Sequence, residues 1–101
     1  MEIKIIVKTT KIFDKWFKDL KDIQAVTAIR VRISRIKNGN FGDIKHVKGV
    51  KGIYELRIHV GNGYRIYCSR NGNMLVILLN GGNKSTQKND IEKAEVLKES
   101  L

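Results

Sequence analysis

Proline is absent from this chain, and so are low-complexity stretches and internal repeats. Nothing in it reads as a linker, so residues 1–101 are expected to form one domain around a single modest core. Cysteine is nearly absent: Cys68 stands alone and cannot close an internal disulfide. Two histidines provide no zinc-ligand spacing, and neither metal nor cofactor is expected. Acidic residues are scarce, with Asp+Glu 10 against Lys+Arg 20 and a net charge of +10. Without an acidic cluster, a two-metal nuclease is disfavoured. No apolar run approaches the ~18 residues of a membrane span, and the start "MEIKIIVK" lacks a signal-peptide core. A membrane partner is therefore set aside and a cytoplasmic location expected. The positive charge is spread along the chain rather than gathered in a lysine block, so it is not a floppy tail. Such a balance favours a polyanionic partner.

What is present is strong periodicity. Residues 2–8 read as a strand with Ile3, Ile5 and Val7 on one side. Thr10 can cap a short helix in which Ile12, Phe13, Trp16, Phe17 and Leu20 recur at helical spacing, a pattern of core packing rather than base stacking. Asp22 can cap a longer helix through Lys37, with Ile23, Val26, Ile29, Ile33 and Ile36 as its buried stripe and Gly39 at its end. "IKHVKGV" (44–50) reads as an edge strand, and "MLVILLN" (74–80), apolar on both faces, as an interior strand. "GGNKSTQK" should break that strand. Asn89 followed by Glu92 has the form of a capping box for a last short helix with Ile91, Ala94, Leu97 and Leu101 inward. The order predicts an α+β domain: an N-terminal strand, a helical hairpin, a twisted and mainly antiparallel sheet, and a short C-terminal helix. The helical hairpin should cover one sheet face and leave the other free.

"ELRIHVGNGYRIY" (55–67) reads as two strands around the turn Gly61-Asn62-Gly63. A three-residue loop would set Val60 against Tyr64, His59 against Arg65, Arg57 against Tyr67 and Glu55 against Ser69. Alternation puts Leu56, Ile58, Ile66 and Cys68 on the buried side, and Glu55, Arg57, His59, Arg65 and Tyr67 together on the other. Arginine suits phosphate, since its planar fork donates paired hydrogen bonds and stays charged. Two arginines a strand apart could bracket a scissile phosphodiester. His59, Glu55 and Tyr67 are the nearby groups able to move a proton. RNA supplies its own 2′-OH nucleophile, so its cleavage needs no metal. In the preceding strand Lys45 alternates with His46 and Lys48, so one of these two basic sets adds to the polar face, and Lys84 lies at the rim past 74–80.

Residues 42–94 resemble the RelE/ParE toxin superfamily of bacterial toxin–antitoxin modules, and within it the HigB-like addiction module killer branch. The resemblance is carried by "GD.K.V" at 42–47, "ELRI" at 55–58, "G.GYR.Y" at 61–67, "LL.GG.K" at 78–84 and "Q..DI..A" at 87–94. "FDKWFKDLKD" (13–22) is similar to the family's first helix. The resemblance implies a RelE-like fold and a toxin that cleaves mRNA within the translating ribosome, leaving a 2′,3′-cyclic phosphate. It also implies a cognate antitoxin with a helix-turn-helix domain. It carries the phosphate-gripping role to Arg65, a second family arginine to Arg57, and basic RNA contacts to Lys45, Lys48 and Lys84. Two departures stand out: residues 84–101 hold no tyrosine, and Glu55 stands where RelE has lysine. The proton-transfer work would then fall to Tyr67, His59 or Glu55. A ParE-like gyrase poison and a non-catalytic basic RNA-binding domain are the alternatives.

Overall fold

Thr10 and Asp22 begin helices as their positions suggest. In the computed structural model, which describes residues 4–72 and 74–101, the Thr10 hydroxyl accepts from the Phe13 amide (3.0 Å) and the Asp22 carboxylate from the Ala25 amide (3.1 Å). These caps open α1 (Lys11–Asp19) and α2 (Ile23–Lys37). Strand β1 (Ile6–Thr9) precedes them, and β2 (Ile44–His46), β3 (Tyr54–Ile58), β4 (Tyr64–Asn71) and β5 (Leu75–Asn83) follow. A 3-10 turn (Lys84–Thr86) leads into α3 (Gln87–Glu99). The strands form one sheet in the order β1-β5-β4-β3-β2, antiparallel except where β1 runs parallel to β5. This is the expected α+β architecture. Residues 2 and 3 of the expected first strand lie outside the described residues; within them, Ile5 is buried and Ile6 exposed. Among the described residues no helix is long and apolar enough to cross a membrane.

One sheet face buries Leu56, Ile58, Ile66, Cys68, Val76 and Leu78 against Phe13, Ile29 and Ile36 of the helical hairpin. Each such side chain contributes ~1.5–3 kcal/mol on leaving water. Cys68 is a core residue here, and burial pushes its thiol up to about 12. The stripe of α2 is narrower than its isoleucines suggest. Ala25, Ile29 and Ile36 are buried, whereas Ile23, in the first turn, is 79% exposed.

The opposite face is not free. Helix α3 lies on it, and Ala94 joins Val47, Ile53, Tyr67 and Leu79 in a second core, with Ile91 and Leu97 at its margin. Three expectations about this end of the chain are corrected. The diglycine does not break the strand: Gly81 and Gly82 pair with Ile66 and Arg65 as the last part of β5. Asn89 does not cap the helix but sits inside it: α3 starts from Thr86 without a side-chain cap, and it is the 3-10 turn ahead of it that Asn83 caps, its side chain accepting from the amides of Ser85 and Thr86. Leu101 lies beyond the helix end and is exposed.

The hairpin also differs from expectation. Ile58 faces Tyr64, Arg57 faces Arg65, Leu56 faces Ile66, Glu55 faces Tyr67 and Tyr54 faces Cys68. The register is displaced by two residues, so each side chain keeps its face and changes its partner. Residues 59–63 form a wider loop, closed by the Gly63 amide donating to the Val60 carbonyl at 2.9 Å. Gly61 and Gly63 take the positive φ it needs, 57° and 88°. Tyr64 anchors it: its hydroxyl donates to Asp22 at the start of α2 (3.0 Å). Edge strand β2 is shorter than expected and ends at His46, which leaves Lys48 in a turn.

The diglycine is where helices close on both faces of β5. A Cβ at Gly81 would stand 2.5 Å from the Trp16 ring of α1, and one at Gly82 would overlap the Asp90 carboxylate of α3. Overpacking of this kind costs about 1–3 kcal/mol. Gly81→Ala should therefore lower the unfolding free energy by that amount, seen as a lower urea midpoint with an unchanged slope. Because the clash is with one ring, Gly81→Ala combined with Trp16→Ala should lose less than the sum of the single losses.

Candidate functional site

Register alone brings the key side chains into line. Across one row of the sheet, Arg57 of β3 faces Arg65 of β4, which faces Gly82 of β5. Asp43, just before β2, extends the row, its carbonyl accepting from the Arg57 amide at 3.0 Å. The next row is Lys45, Glu55, Tyr67 and Asn80. Helix α3 covers Glu55, Tyr67 and Asn80 of the second row and leaves Arg57 and Arg65 of the first toward the open end of the face.

Like charges directly opposite on neighbouring strands repel. Each arginine here has its own carboxylate. Arg57 donates through Nε (3.1 Å) and Nη2 (3.0 Å) to Asp43 Oδ1, and Arg65 through Nε to Glu55 Oε1 (3.2 Å). Glu55 is buried, and its second oxygen accepts from the side-chain Nε2 of Gln87 in α3 at 2.9 Å. His59, 72% exposed at its side chain, places Nε2 2.6 Å from Asp43 Oδ2. Its bond, and after it that of Arg57, hold the Asp43 carboxyl below its ordinary value of 3.8.

A strut from α2 holds this loop in place. Arg32 donates to the carbonyls of Phe41 (3.4 Å), Asp43 (3.3 Å) and Arg57 (2.8 Å), tying the 41–43 segment to the end of β3. Gly42, with φ 68°, passes close over the Arg32 guanidinium. Neither Arg32 nor Asp43 stood out in the sequence. Arg32 lies on the charged side of α2, off its isoleucine stripe, and Asp43 entered only as part of the "GD.K.V" stretch at 42–47, with no role attached.

Arg57, Arg65, His59 and Lys84 border a cleft of ≈ 350 Å³ over the 61–63 turn, floored by Ile58 and Tyr64. A second cleft shares Asn62 and Lys84 with it and runs toward Asn83 and Ser85. Of the residues singled out in the sequence, these four meet at one place. Lys45 is exposed on the edge strand and Lys48 in the following turn, and neither borders the cleft. Tyr67 is corrected: it lies in the core beneath α3 rather than on an open face. Its hydroxyl has no hydrogen-bond partner among the described residues. Burial, then the negative charge of Glu55, raise its pKa, so it stays protonated. Glu55 is likewise enclosed and acts on Arg65 rather than on anything in the cleft.

The model of the family described as phage derived protein Gp49-like (DUF891) matches residues 15–99. The chain belongs to the Gp49-like family. An uncharacterized protein of Haemophilus influenzae (strain Rd) is 50% identical to this Gp49-like chain over 97 residues, 96% of each. Among solved structures it is similar to the RelB–RelE antitoxin–toxin complex from Methanococcus jannaschii: TM-score 0.64 at 26% identity, over 82% of this chain and 96% of that one. A doubly substituted mutant of the E. coli toxin RelE in the free state gives a TM-score of 0.66 at 11% identity, over 92% of this chain and 95% of that one. The Gp49-like chain thus has the fold of RelE toxins.

A depressed carboxyl pKa has a defined sign. Asp43 adds stability in full above its unfolded value of ~3.9, and that contribution disappears as pH falls through the lower folded value. Carbon-13 NMR of the Asp43 carboxyl should show a midpoint below 3.8. His59→Ala and Arg57→Ala should each raise it, because each removes a cationic hydrogen-bond donor from the carboxylate.

Proposed function

We propose that this protein is the toxin of a type II toxin–antitoxin module and that, freed from its antitoxin, it cuts translated mRNA on the ribosome. The observation that carries this reading is Arg57 directly opposite Arg65 at the open end of the sheet, with His59 and Lys84 on the same cleft. Gp49-like membership and a fold shared with RelE proteins, two of whose structures are antitoxin complexes, support the module. The net charge of +10 supports a nucleic-acid target, because each phosphate contact releases counterions. The partner would be an antitoxin of the helix-turn-helix kind, as the HigB-like resemblance implies.

In this reading the phosphodiester sits over the arginine pair. Arginine has five N–H donors. Arg57 uses Nε and Nη2 on Asp43, and Arg65 uses Nε on Glu55, so each guanidinium has donors left for phosphate oxygens. Lys84 adds a third cation at the rim. The 2′-oxygen of the preceding ribose attacks phosphorus and gives its proton to a base. The bond to the 5′-oxygen breaks, leaving a 2′,3′-cyclic phosphate and a 5′-hydroxyl that takes up a proton. Arg57, Arg65 and Lys84 stabilise the charge added at phosphorus. With Tyr67 and Glu55 enclosed, His59 is the group of the three candidates placed to exchange protons.

Induced expression should halt growth and create new 5′ ends inside coding regions, read by primer extension. Intact transcripts with trapped gyrase–DNA complexes would identify a gyrase poison instead. Removing Arg65 alone strips a partner from buried Glu55, so the useful variant pairs Arg65→Ala with Glu55→Gln, which keeps the Gln87 contact. Cleavage should fall ~10²–10³-fold, the usual loss for one transition-state donor, with circular dichroism unchanged. Toxicity at the wild-type level would contradict the assignment.

A further inference from the structure

The proposed endonuclease step needs one group to take the proton of the 2′-OH, and it needs that group at a set distance from the phosphate. An exposed imidazole on a loop meets neither requirement, since it rotates freely and exists as two tautomers. In this cleft one carboxylate answers both. Asp43 Oδ2 lies 2.6 Å from His59 Nε2, while Asp43 Oδ1 holds two nitrogens of Arg57 at 3.0 and 3.1 Å. A carboxylate accepts only, so its partner on a neutral imidazole must be an N–H. The proton of neutral His59 therefore resides on Nε2, and Nδ1 is left as the free acceptor.

We propose that Asp43 is the positioning residue of the cleft: it holds His59 as the Nε2–H tautomer, with Nδ1 as base, at a fixed distance from the phosphate-facing Arg57. The inference rests on the endonuclease reading for its chemistry, though the placement of His59 can be tested without it. Two elements hold Asp43 itself in place. Its carbonyl accepts from the Arg57 amide and from Arg32 Nη1 (3.3 Å), and Arg32 also grips the Phe41 and Arg57 carbonyls. The carboxylate thus belongs to a frame made by α2 and β3, and the loop histidine inherits that rigidity. During cleavage, His59 Nδ1 takes the 2′-OH proton, and the resulting imidazolium keeps its Nε2–H bond to the ionised Asp43. The carboxylate stays deprotonated throughout. A base oriented by a third group in this way is the arrangement found in hydrolytic triads.

Long-range proton–nitrogen NMR on the free protein, above the titration range of His59, reads the tautomer directly. The wild type should show His59 protonated on Nε2, and Asp43→Ala should shift it to a mixture. A wild-type Nδ1–H signal, or one that Asp43→Ala leaves alone, overturns the proposal. Cleavage of ribosome-bound mRNA gives the second readout. Asp43→Ala and Asp43→Asn should each lose ~10²–10⁴-fold, as when a proton-transfer group is disabled, with melting temperature monitored in both. The double variant Asp43→Ala/His59→Ala should lose far less than the product of the single losses. Losses that multiply in full would make Asp43 independent of His59 and overturn the proposal. Failure of the wild type to cleave would sink the endonuclease reading alone, because the tautomer is measured without RNA.

Discussion

Two guanidiniums opposite each other on adjacent strands would push a hairpin apart, and the organisation of this molecule follows from how that repulsion is met. Arg57 and Arg65 are each held by a separate carboxylate, Asp43 on the edge side and Glu55 from the neighbouring row. In a chain with 10 acidic residues against 20 basic ones, two of the acids stand at this single pair. Their positions are in turn imposed from outside the hairpin: Arg32 of α2 grips the loop that carries Asp43, and Gln87 of α3 bonds Glu55. The helices do more than cover a core. Each places one polar side chain that makes the arginine pair tolerable.

The same division between the helices decides what is accessible. Gly81 and Gly82 let Trp16 of α1 and Asp90 of α3 approach β5 from opposite faces, closer than any side chain there would allow. With α3 seated this tightly, the row of Glu55, Tyr67 and Asn80 is enclosed. The row of Asp43, Arg57 and Arg65 lies past the helix and meets the loop that brings His59 and Lys84 to the cleft. Two rows of one sheet face, about 7 Å apart by strand geometry, therefore have opposite fates. One is interior and inert; the other is an open basic cleft.

Much of this was legible in the residues. Period-two alternation assigned every hairpin side chain to its face, and the helix caps at Thr10 and Asp22 follow from local chemistry that needs no tertiary context. The hairpin register was not legible. A displacement of two residues preserves all faces, so the apolar pattern accepts both pairings, and the choice falls to contacts such as Tyr64 with Asp22, 42 residues apart. The end of β5 was misread because glycine signals a break in isolation. Here it signals the close approach of two helices.

What the sequence by itself determined is the content of each surface: which side chains share a face, where helices start, and that a basic set of Arg57, His59, Arg65 and Lys84 could gather. These depend on periodicity and capping, whose range is a few residues. What only the tertiary structure decided is which members of the set are open, which are enclosed, and which acids hold them. Helix α3 buries Tyr67 and Glu55, and Arg32 delivers Asp43 to His59, through contacts between residues far apart in the chain. Local pattern carries no term for such contacts, because they depend on where whole elements dock.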